Sequence, residues 1–369
     1  MESAKDTIMI LGKVPPPYMG PSIATELLLK SGLNNHFNLV HVDTKINDDL
    51  RNIGKWSFGK LKKNLSIYSS MIKKINLNKP KLVLIPFSQS TIGFLKDSVF
   101  IWIGIIKGKK VLLHLRGSDF KRWINTTSPL TRWFVKSTLK KTVGVIVLGN
   151  NLRYLFEGYY PDNKIFVCPN GGTYKIPTRI KENKLPLRVL YLGNLQPSKG
   201  IEDVIESASI LKKEGVKDFE YEIIGGWRKD DVKERCLKTV EEENLPVKFF
   251  PPEASKEKFN LMADADIFLF PPREPEGHPW VIVEAMASSL PIISTDQGAI
   301  IESVIDGYNG YVVPSKSPNE IAAKVKNLLT NDELRNTMAK ASHAHYKKEF
   351  TEERMVEKLT NIFNSVIKN

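Results

Sequence analysis

Short runs of β-forming residues alternate with helical patterns along this chain, and the alternation occurs twice. Because parallel strands need helical crossovers between them, such alternation favours a parallel sheet covered by helices. The strands predicted in the first half span residues 7–14, 37–44, 81–88, 109–117 and 142–149. Those predicted in the second half span residues 187–194, 219–226, 247–252, 265–272 and 291–296. The sequence therefore predicts an α/β protein with two Rossmann-like domains.

A polar, proline-containing stretch separates the two series of strands and is the predicted linker. We expect an N-terminal Rossmann-like domain over residues 1–172, a linker over 173–187 and a C-terminal Rossmann-like domain over 188–350. The last segment, 351–369, has the apolar spacing of an amphipathic helix. Docking back on the N-terminal domain is one arrangement open to that helix.

The net positive charge of the chain lies in its first half. Residues 1–172 hold 26 Lys and Arg against 10 Asp and Glu, a net charge of +16, whereas the remainder is −3. Lysines cluster between residues 55 and 110, with Trp56, Phe58 and Phe100 near them. Such clusters suit an anionic membrane surface or a polyanion, although a solvated lysine-rich face gives the same pattern. No nucleic-acid reader motif is present, so nucleic acid is not an expected partner.

Several common site motifs are absent from the sequence. No G-x-G-x-x-G follows a predicted strand, and neither a P-loop nor a G-x-S-x-G is present. Two cysteines, Cys168 and Cys236, cannot build a disulfide framework or a four-thiolate zinc site. There is no signal-peptide pattern, and the longest apolar run is too short to span a bilayer. We expect a cytoplasmic protein.

Two carboxylates mark the stretch "EGHPWVIVEAMA" at residues 276–287. Glu284 lies inside an apolar run, where a buried carboxylate costs several kcal/mol, roughly, unless a donor binds it. Glu276 precedes Pro279, the expected start of the helix. Since the sequence offers Glu284 no evident protein partner, we expect a ligand rich in hydroxyl groups, such as a ribose, to supply the donors.

Other strand ends also carry candidate ligand-binding residues. Gly20 lies in the loop after the first strand, and the helix N–H groups of Ser22 and Ile23 are expected to be free for a phosphate. His114 and Arg116 lie together at a later strand end, where a basic pair suits a diphosphate or a sugar.

In the second half, Gly193 ends a strand and Lys199 projects from the following loop as a point charge for an anion. The D-x-D pattern of Asp264 and Asp266 bridges a helix end and a strand, and we do not expect it to bind metal.

These segments together resemble a known family. The E-x7-E stretch, "DADIFLFPP", "YLGNLQPSKGIEDVIESASIL" and "DGYNGYVV" resemble the family 4 retaining glycosyltransferases, and "VCPNGG" resembles that family's signature before its second domain. The resemblance covers nearly all of the C-terminal half, and the N-terminal half mainly by architecture. It implies a GT-B fold, in which two Rossmann-like domains face a central cleft, and a nucleoside-diphosphate sugar as donor.

The resemblance implies transfer with retention, and the leading hypothesis is a lipid-linked or polysaccharide acceptor in cell-surface glycan biosynthesis. Because no carboxylate or histidine cluster has convincing ligand spacing, we expect transfer without a metal or other cofactor. It implies that Glu284 holds the ribose, Glu276 the transferred sugar and Lys199 the diphosphate, with Gly20 bringing backbone close to it. The candidate catalytic residues are Glu276, Lys199 and His114. The candidate donor-binding residues are Glu284, Gly20, Gly193, Asn194, Arg273, Gly277, His278 and Arg116.

The chain departs from the family pattern at several of these positions. Asn194 stands where the family usually has an arginine, so Arg273 or Arg116 is expected to compensate. The usual Gly-Phe-Gly after the first glutamate reads Gly277-His278-Pro279, which leaves His278 either a contact of the donor sugar or a packing residue. The family's N-domain histidine corresponds either to His114 or to Arg116.

Two other functions compete with sugar transfer. A nucleotide-sugar epimerase of the same fold would use a similar donor pocket and release a free epimer. A nucleic-acid-binding protein is suggested only by the charge. For the leading hypothesis we expect peripheral association with the inner face of the cell membrane through the N-terminal domain.

Overall fold

The structure is a computed structural model that describes residues 5–16, 19–45, 58–178, 185–252 and 255–368. The chain divides into two compact units. The first comprises Met1–Gly172 and Glu352–Asn369, and the second comprises Thr173–Thr351.

The first unit is built on a six-stranded parallel sheet in the order β2-β1-β3-β4-β5-β6. Its strands are β1 (Thr7–Gly12), β2 (Asn38–Asp43), β3 (Leu82–Pro86), β4 (Lys110–His114), β5 (Gly144–Val147) and β6 (Ile165–Val167). Its helices are α1 (Gly20–Lys30), α2 (Phe58–Asn78), α3 (Thr91–Ile106), α4 (Phe120–Thr126) and α5 (Pro129–Leu139). Almost every residue of the four central strands is buried, as expected for a sheet covered on both faces.

The second unit has a second six-stranded parallel sheet, in the order β12-β11-β10-β7-β8-β9. Its strands are β7 (Leu187–Leu192), β8 (Phe219–Ile224), β9 (Val247–Phe250), β10 (Ile267–Phe270), β11 (Ile292–Thr295) and β12 (Gly310–Val313). Its helices are α6 (Ile201–Lys213), α7 (Asp230–Glu242), α8 (Ser255–Asp264), α9 (Trp280–Ala287), α10 (Ile300–Ser303), α11 (Pro318–Thr330) and α12 (Asp332–Glu349). The predicted parallel α/β class is confirmed, with β6 and β12 as strands that the pattern did not predict.

The last helix, α13 (Glu352–Lys368), packs on the first unit. Its apolar face lies in the core beside residues of α1 and β1, and Phe363 contacts Phe37 with ring centroids 5.6 Å apart. Lys110 at the start of β4 donates to the carbonyls of Val366 and Ile367 at 3.0 and 2.9 Å. These bonds satisfy carbonyls of the last turn, which have no partner within the helix.

In each sheet the strand order identifies a switch point, and a ligand is expected at the carboxyl ends of the strands there. In the second sheet the chain runs outward from β7 to β9, then returns to the other side of β7 with β10. In the first sheet the same reversal occurs between β1 and β3. Open α/β sheets bind ligands outside the carboxyl ends of the strands at such a switch point.

Candidate active site

Lys199 and Glu276 form an ion pair at the switch point of the second sheet. Lys199 ends a short 3₁₀ turn after β7, and Glu276 lies in the loop after β10, the hydrogen-bonded neighbour of β7. Their side chains are 23% and 14% exposed. Burial raises the pKa of Glu276 above its usual value, and the charge of Lys199 opposes that rise. A cation and a carboxylate are therefore held together where this fold binds ligands.

Two glycines fix the loop that carries Glu276. Gly200 has φ +76°, and a Cβ there would lie 2.0 Å from the carbonyl oxygen of Pro271. Gly298 has φ +59°, and a Cβ there would lie 1.8 Å from the carbonyl oxygen of Glu276 and 2.6 Å from that of Gly277. Side chains rarely adopt this left-handed backbone, and none would fit the space. The loop is therefore held by close backbone contacts on both sides.

Glu284 is buried in α9 and has a protein partner. Lys258 of α8 donates to its Oε1 at 2.7 Å, so the expectation that Glu284 lacks such a partner is wrong. Lys258 lies 26 residues earlier on another helix, which the sequence pattern could not bring together. Oε2 of Glu284 is buried and accepts no hydrogen bond from any residue that the structure describes. One carboxylate oxygen thus has no hydrogen-bond donor among the described residues.

Arg273 is held by two carboxylates of α6. Its Nε and Nη2 each donate to Asp203 at 2.6 Å, and its Nη1 donates to Glu202 at 2.7 Å. The bond with Asp203 raises the pKa of the guanidinium. This arrangement balances the charge of Arg273 and ties the loop after β10 to α6, so it offers no support for a phosphate-binding role.

Asn194 positions a different arginine, which sequence reasoning missed. Its Oδ1 accepts from Nε and Nη2 of Arg228 at 3.2 and 2.9 Å. Arg228 is exposed and follows the Gly225-Gly226 loop after β8. The buried hydroxyl of Tyr191 lies 3.2 and 3.3 Å from the carbonyls of Asn194 and Lys199, so both residues share one loop cluster. The sequence signal that could have identified Arg228 is the Gly225-Gly226 pair shortly before it.

The remaining candidates of this unit differ in their surroundings. Gly193 directly follows β7, where a Cβ would lie 3.2 Å from the ring of Phe270. His278 is buried, its Nε2 shares a 2.6 Å hydrogen bond with Ser303, and its ring lies 5.2 Å from that of Phe350. These contacts favour packing as the role of His278.

The Asp264 and Asp266 carboxylates are engaged in the fold. Asp264 pairs with Arg188 at 3.6 Å, and Asp266 accepts from the Arg188 backbone N–H at 2.9 Å. Among the described residues, no three or more His, Cys, Asp or Glu side chains lie together in a group that could hold a metal ion.

Gly20, His114 and Arg116 lie in the first unit. Gly20 begins α1, but the N–H groups of Ser22 and Ile23 both donate to the carbonyl of Met19 at 2.9 Å. The expectation that these two groups are free for a phosphate is therefore wrong. His114 is buried at the end of β4, and burial, then the charge of Arg116, lower its pKa well below the usual value. It is therefore neutral at pH 7.

Known proteins are similar to this chain over different shares of its length. Residues 175–345 match the family model for glycosyl transferases group 1. The uncharacterized glycosyltransferase MJ1178 of Methanocaldococcus jannaschii is 25% identical over 95% of this chain and 96% of that protein. The putative colanic acid biosynthesis glycosyltransferase WcaL of Salmonella typhimurium is 31% identical over 44% of this chain and 41% of its own length. The poly(ribitol-phosphate) alpha-N-acetylglucosaminyltransferase of Staphylococcus aureus is 25% identical over 63% of this chain and 46% of its own.

Solved structures resemble the whole chain. Sucrose-phosphate synthase from Thermosynechococcus elongatus has a TM-score of 0.75 at 15% identity, covering 99% of this chain and all of that one. HepE from Anabaena, in complex with UDP and glucose, has a TM-score of 0.71 at 16% identity, covering 98% of this chain and all of that one. These likenesses show the fold, so the predicted GT-B fold is confirmed. The group 1 match confirms the predicted resemblance, while the family 4 subclass stays a prediction.

Proposed function

We propose that this group 1 glycosyltransferase moves a sugar, with retention of its anomeric configuration, from a nucleoside-diphosphate sugar to a lipid-linked or glycan acceptor. The observation that carries the proposal is the Lys199–Glu276 pair at the switch point of the domain that matches the family. Two similar proteins are named for colanic acid biosynthesis and for poly(ribitol-phosphate), which supports a role in cell-surface polysaccharide synthesis.

The contacts of the second unit support separate roles for its residues in binding the donor. Lys199 and Arg228 supply cations for the diphosphate, and the free Oε2 of Glu284 accepts from a ribose hydroxyl. Glu276 keeps Lys199 in place and accepts from hydroxyls of the transferred sugar.

During transfer the bond from the anomeric carbon to the diphosphate oxygen breaks and the bond to the acceptor oxygen forms. The acceptor proton passes to the leaving diphosphate on the same face of the sugar. Negative charge grows on that diphosphate as the bond breaks, and a preplaced cation such as Lys199 stabilises it.

The proposal is tested by transfer assays with a panel of nucleoside-diphosphate sugars. Glu276→Gln and Lys199→Ala are each expected to lower transfer by at least about tenfold, which is about 1.4 kcal/mol. Arg228→Ala is expected chiefly to raise KM for the donor. Lys326→Ala, which removes an exposed ion pair with Glu214, is the matched control. Wild-type turnover in Lys199→Ala would contradict the role of this lysine, and release of a free epimer would identify an epimerase.

We also propose that transfer needs no divalent metal. Asp264 and Asp266 already bind Arg188, and Lys199 and Arg228 can offset the diphosphate charge. Activity is expected to persist in excess chelator. Complete loss in chelator, with recovery on added magnesium or manganese, would overturn this proposal.

An exposed apolar surface on the first unit supports a membrane-borne acceptor. Ile92, Leu95 and Val99 of α3 are 71%, 48% and 38% exposed, and Leu130 and Trp133 of α5 are 74% and 65% exposed. The spacing of the three α3 residues places them on one helix face. We call these five residues the α3–α5 surface; α3 and α5 are joined where the Trp102 indole donates to Thr138.

The first unit also has exposed lysines, but some of the residues expected at a membrane surface are buried or bound elsewhere in the fold. Lys62, Lys63, Lys136 and Lys140 are exposed on α2 and at the end of α5. Phe100 is buried, Lys110 binds the end of α13 and Lys74 donates to the His41 carbonyl, so these three residues are not a membrane contact. Trp56 and the side chains of Phe58 and Lys60 lie outside the described residues.

We propose reversible association of the first unit with the anionic inner face of the cell membrane, in the cytoplasm. Among the described helices, none combines the length and apolarity needed to cross a bilayer. An exposed apolar surface together with exposed lysines on the same unit suits the interface between lipid headgroups and acyl chains.

A further inference from the structure

Arg116 of the first unit carries a partly buried charge that no carboxylate of the described residues balances. No Asp or Glu of the described residues lies within ion-pair distance of its guanidinium, and the nearby Asp119 pairs with Arg122 at 2.6 Å. Burial lowers the pKa of Arg116 to about 10, so it remains a cation at pH 7. A buried charge without a counter-charge is costly, which implies that an anion completes this site when the protein works.

One edge of the guanidinium is held by protein and the other is free. Nη1 donates to the carbonyl of Pro21 and to Oγ1 of Thr25, the latter at 2.9 Å, which ties Arg116 to the first turns of α1. Nε and Nη2 are buried, and no described residue accepts a hydrogen bond from them. These two N–H groups lie side by side and can donate to two oxygen atoms of one phosphate or carboxylate.

Further unpartnered polar atoms lie on the same edge of the sheet. Ser118 follows Arg116 by two residues, and Gln89 follows β3, the hydrogen-bonded neighbour of β4. A Cβ at Gly117 would lie 2.1 Å from Nε2 of Gln89, so Gln89 lies against the loop that carries Arg116. Within the described part of the chain, Oγ of Ser118, Oε1 of Gln89 and both ring nitrogens of His114 are buried without a hydrogen-bond partner.

We propose that Arg116, with Ser118 and His114, forms a binding site for a phosphate group in the first unit. The ring of His114 and the hydroxyl of Ser118 each donate one hydrogen bond, and Arg116 donates two. This inference deepens the proposed function, because both the donor diphosphate and a lipid-linked acceptor present a phosphate.

The test measures binding of three probes to the full chain by calorimetry: inorganic phosphate, UDP and geranyl phosphate. Arg116→Gln is expected to weaken phosphate binding by at least about tenfold, or about 1.4 kcal/mol. Arg122→Gln, which removes a nearby surface arginine, is the matched control. Arg116→Lys keeps the charge but loses the paired donors, so we expect it to bind more weakly than wild type.

A thermal readout separates ligand binding from a structural role. Without ligand, Arg116→Gln is expected to melt at or above the wild-type temperature because it removes an unbalanced buried charge, and phosphate should no longer raise its Tm. Should Arg116→Gln fail to fold, the Arg116→Lys and Ser118→Ala variants carry the binding test.

The probes also identify the source of the phosphate. Weaker binding of UDP in the Arg116 variants assigns the site to the donor, and weaker binding of geranyl phosphate alone assigns it to the acceptor. Unchanged binding of all three probes, or wild-type protein that binds none of them, overturns the proposal. Calorimetry measures binding of the probes and does not require sugar transfer. A protein that binds phosphate through Arg116 but transfers no sugar would therefore contradict the proposed function and still support the phosphate site.

Discussion

At the scale of the residue, the pairing of Glu284 with Lys258 makes it possible to measure the contribution of Glu284 to stability apart from its contribution to ligand binding. Glu284→Gln leaves Lys258 largely buried without its carboxylate, and we expect a loss of about 1–3 kcal/mol of unfolding free energy. Adding Lys258→Met removes the unpaired cation and is expected to restore part of that stability. The free carboxylate oxygen is absent in both variants, so donor affinity should stay about tenfold or more below wild type in each, or about 1.4 kcal/mol.

Denaturant unfolding and donor titration of the single and double variants make this measurement, with Lys258→Met alone as the third corner of the cycle. If the double variant recovered full donor affinity, the role of Glu284 would be limited to its ion pair with Lys258, and Glu284 would not bind the donor.

The same pair shows what the sequence could and could not predict about the site. Glu284 was identifiable because a carboxylate inside an apolar helix needs a donor. Lys258 was not, because its helix has no pattern that specifies which neighbour it faces. The resemblance assigned Lys199 and Glu276 to different parts of one donor, but their ion pair was not predicted. The contact of Asn194 with Arg228 was not predicted either, because it joins two loops whose approach depends on the folded sheet.

At the scale of the element, the turn after β11 controls the loop after β10. Gly298→Ala would place a Cβ 1.8 Å from the carbonyl oxygen of Glu276, in a backbone conformation with φ +59°. We expect transfer to fall at least about tenfold, or 1.4 kcal/mol in the barrier, because Glu276 must move. Gly307→Ala is the control, since it has φ +74° but nothing within 4 Å of the added Cβ. An equal loss of activity in both variants would show that backbone strain, and not the displaced carbonyl, is responsible. Wild-type activity in Gly298→Ala would show that this contact does not position Glu276.

Element boundaries were predictable where periodicity was long and strong. The pattern identified the apolar face of α13 because several turns repeat the same spacing. It missed β6 and β12, which have three and four residues, although it predicted other four-residue strands such as β10 and β11. The docking of α13 on the first unit depends on the shape of the groove beside Phe37 and Leu33, which is a tertiary property.

At the scale of the whole molecule, charge asymmetry and the α3–α5 surface predict salt-sensitive binding to anionic vesicles. Each basic residue near such a surface contributes about 1 kcal/mol, and the contribution fades within a Debye length. Replacing Lys62 and Lys63 with glutamate should abolish co-sedimentation at low salt. Replacing Leu130 and Trp133 with serine should weaken it at any salt, and Ile305→Ser on the second unit is the exposed apolar control. A wild-type protein that ignores anionic vesicles at low salt would contradict the membrane proposal.

The packing of α13 on the first unit has a consequence for how the protein is made. A ribosome releases residues 1–172 long before residues 352–369, yet Phe363 and its neighbours fill part of the core around Leu28, Leu33 and Phe37. Domains usually fold in the order of their synthesis. Here the nascent first unit must wait, with that apolar groove uncovered, while the entire second unit is translated. The unit that is synthesised first is therefore the last to be completed.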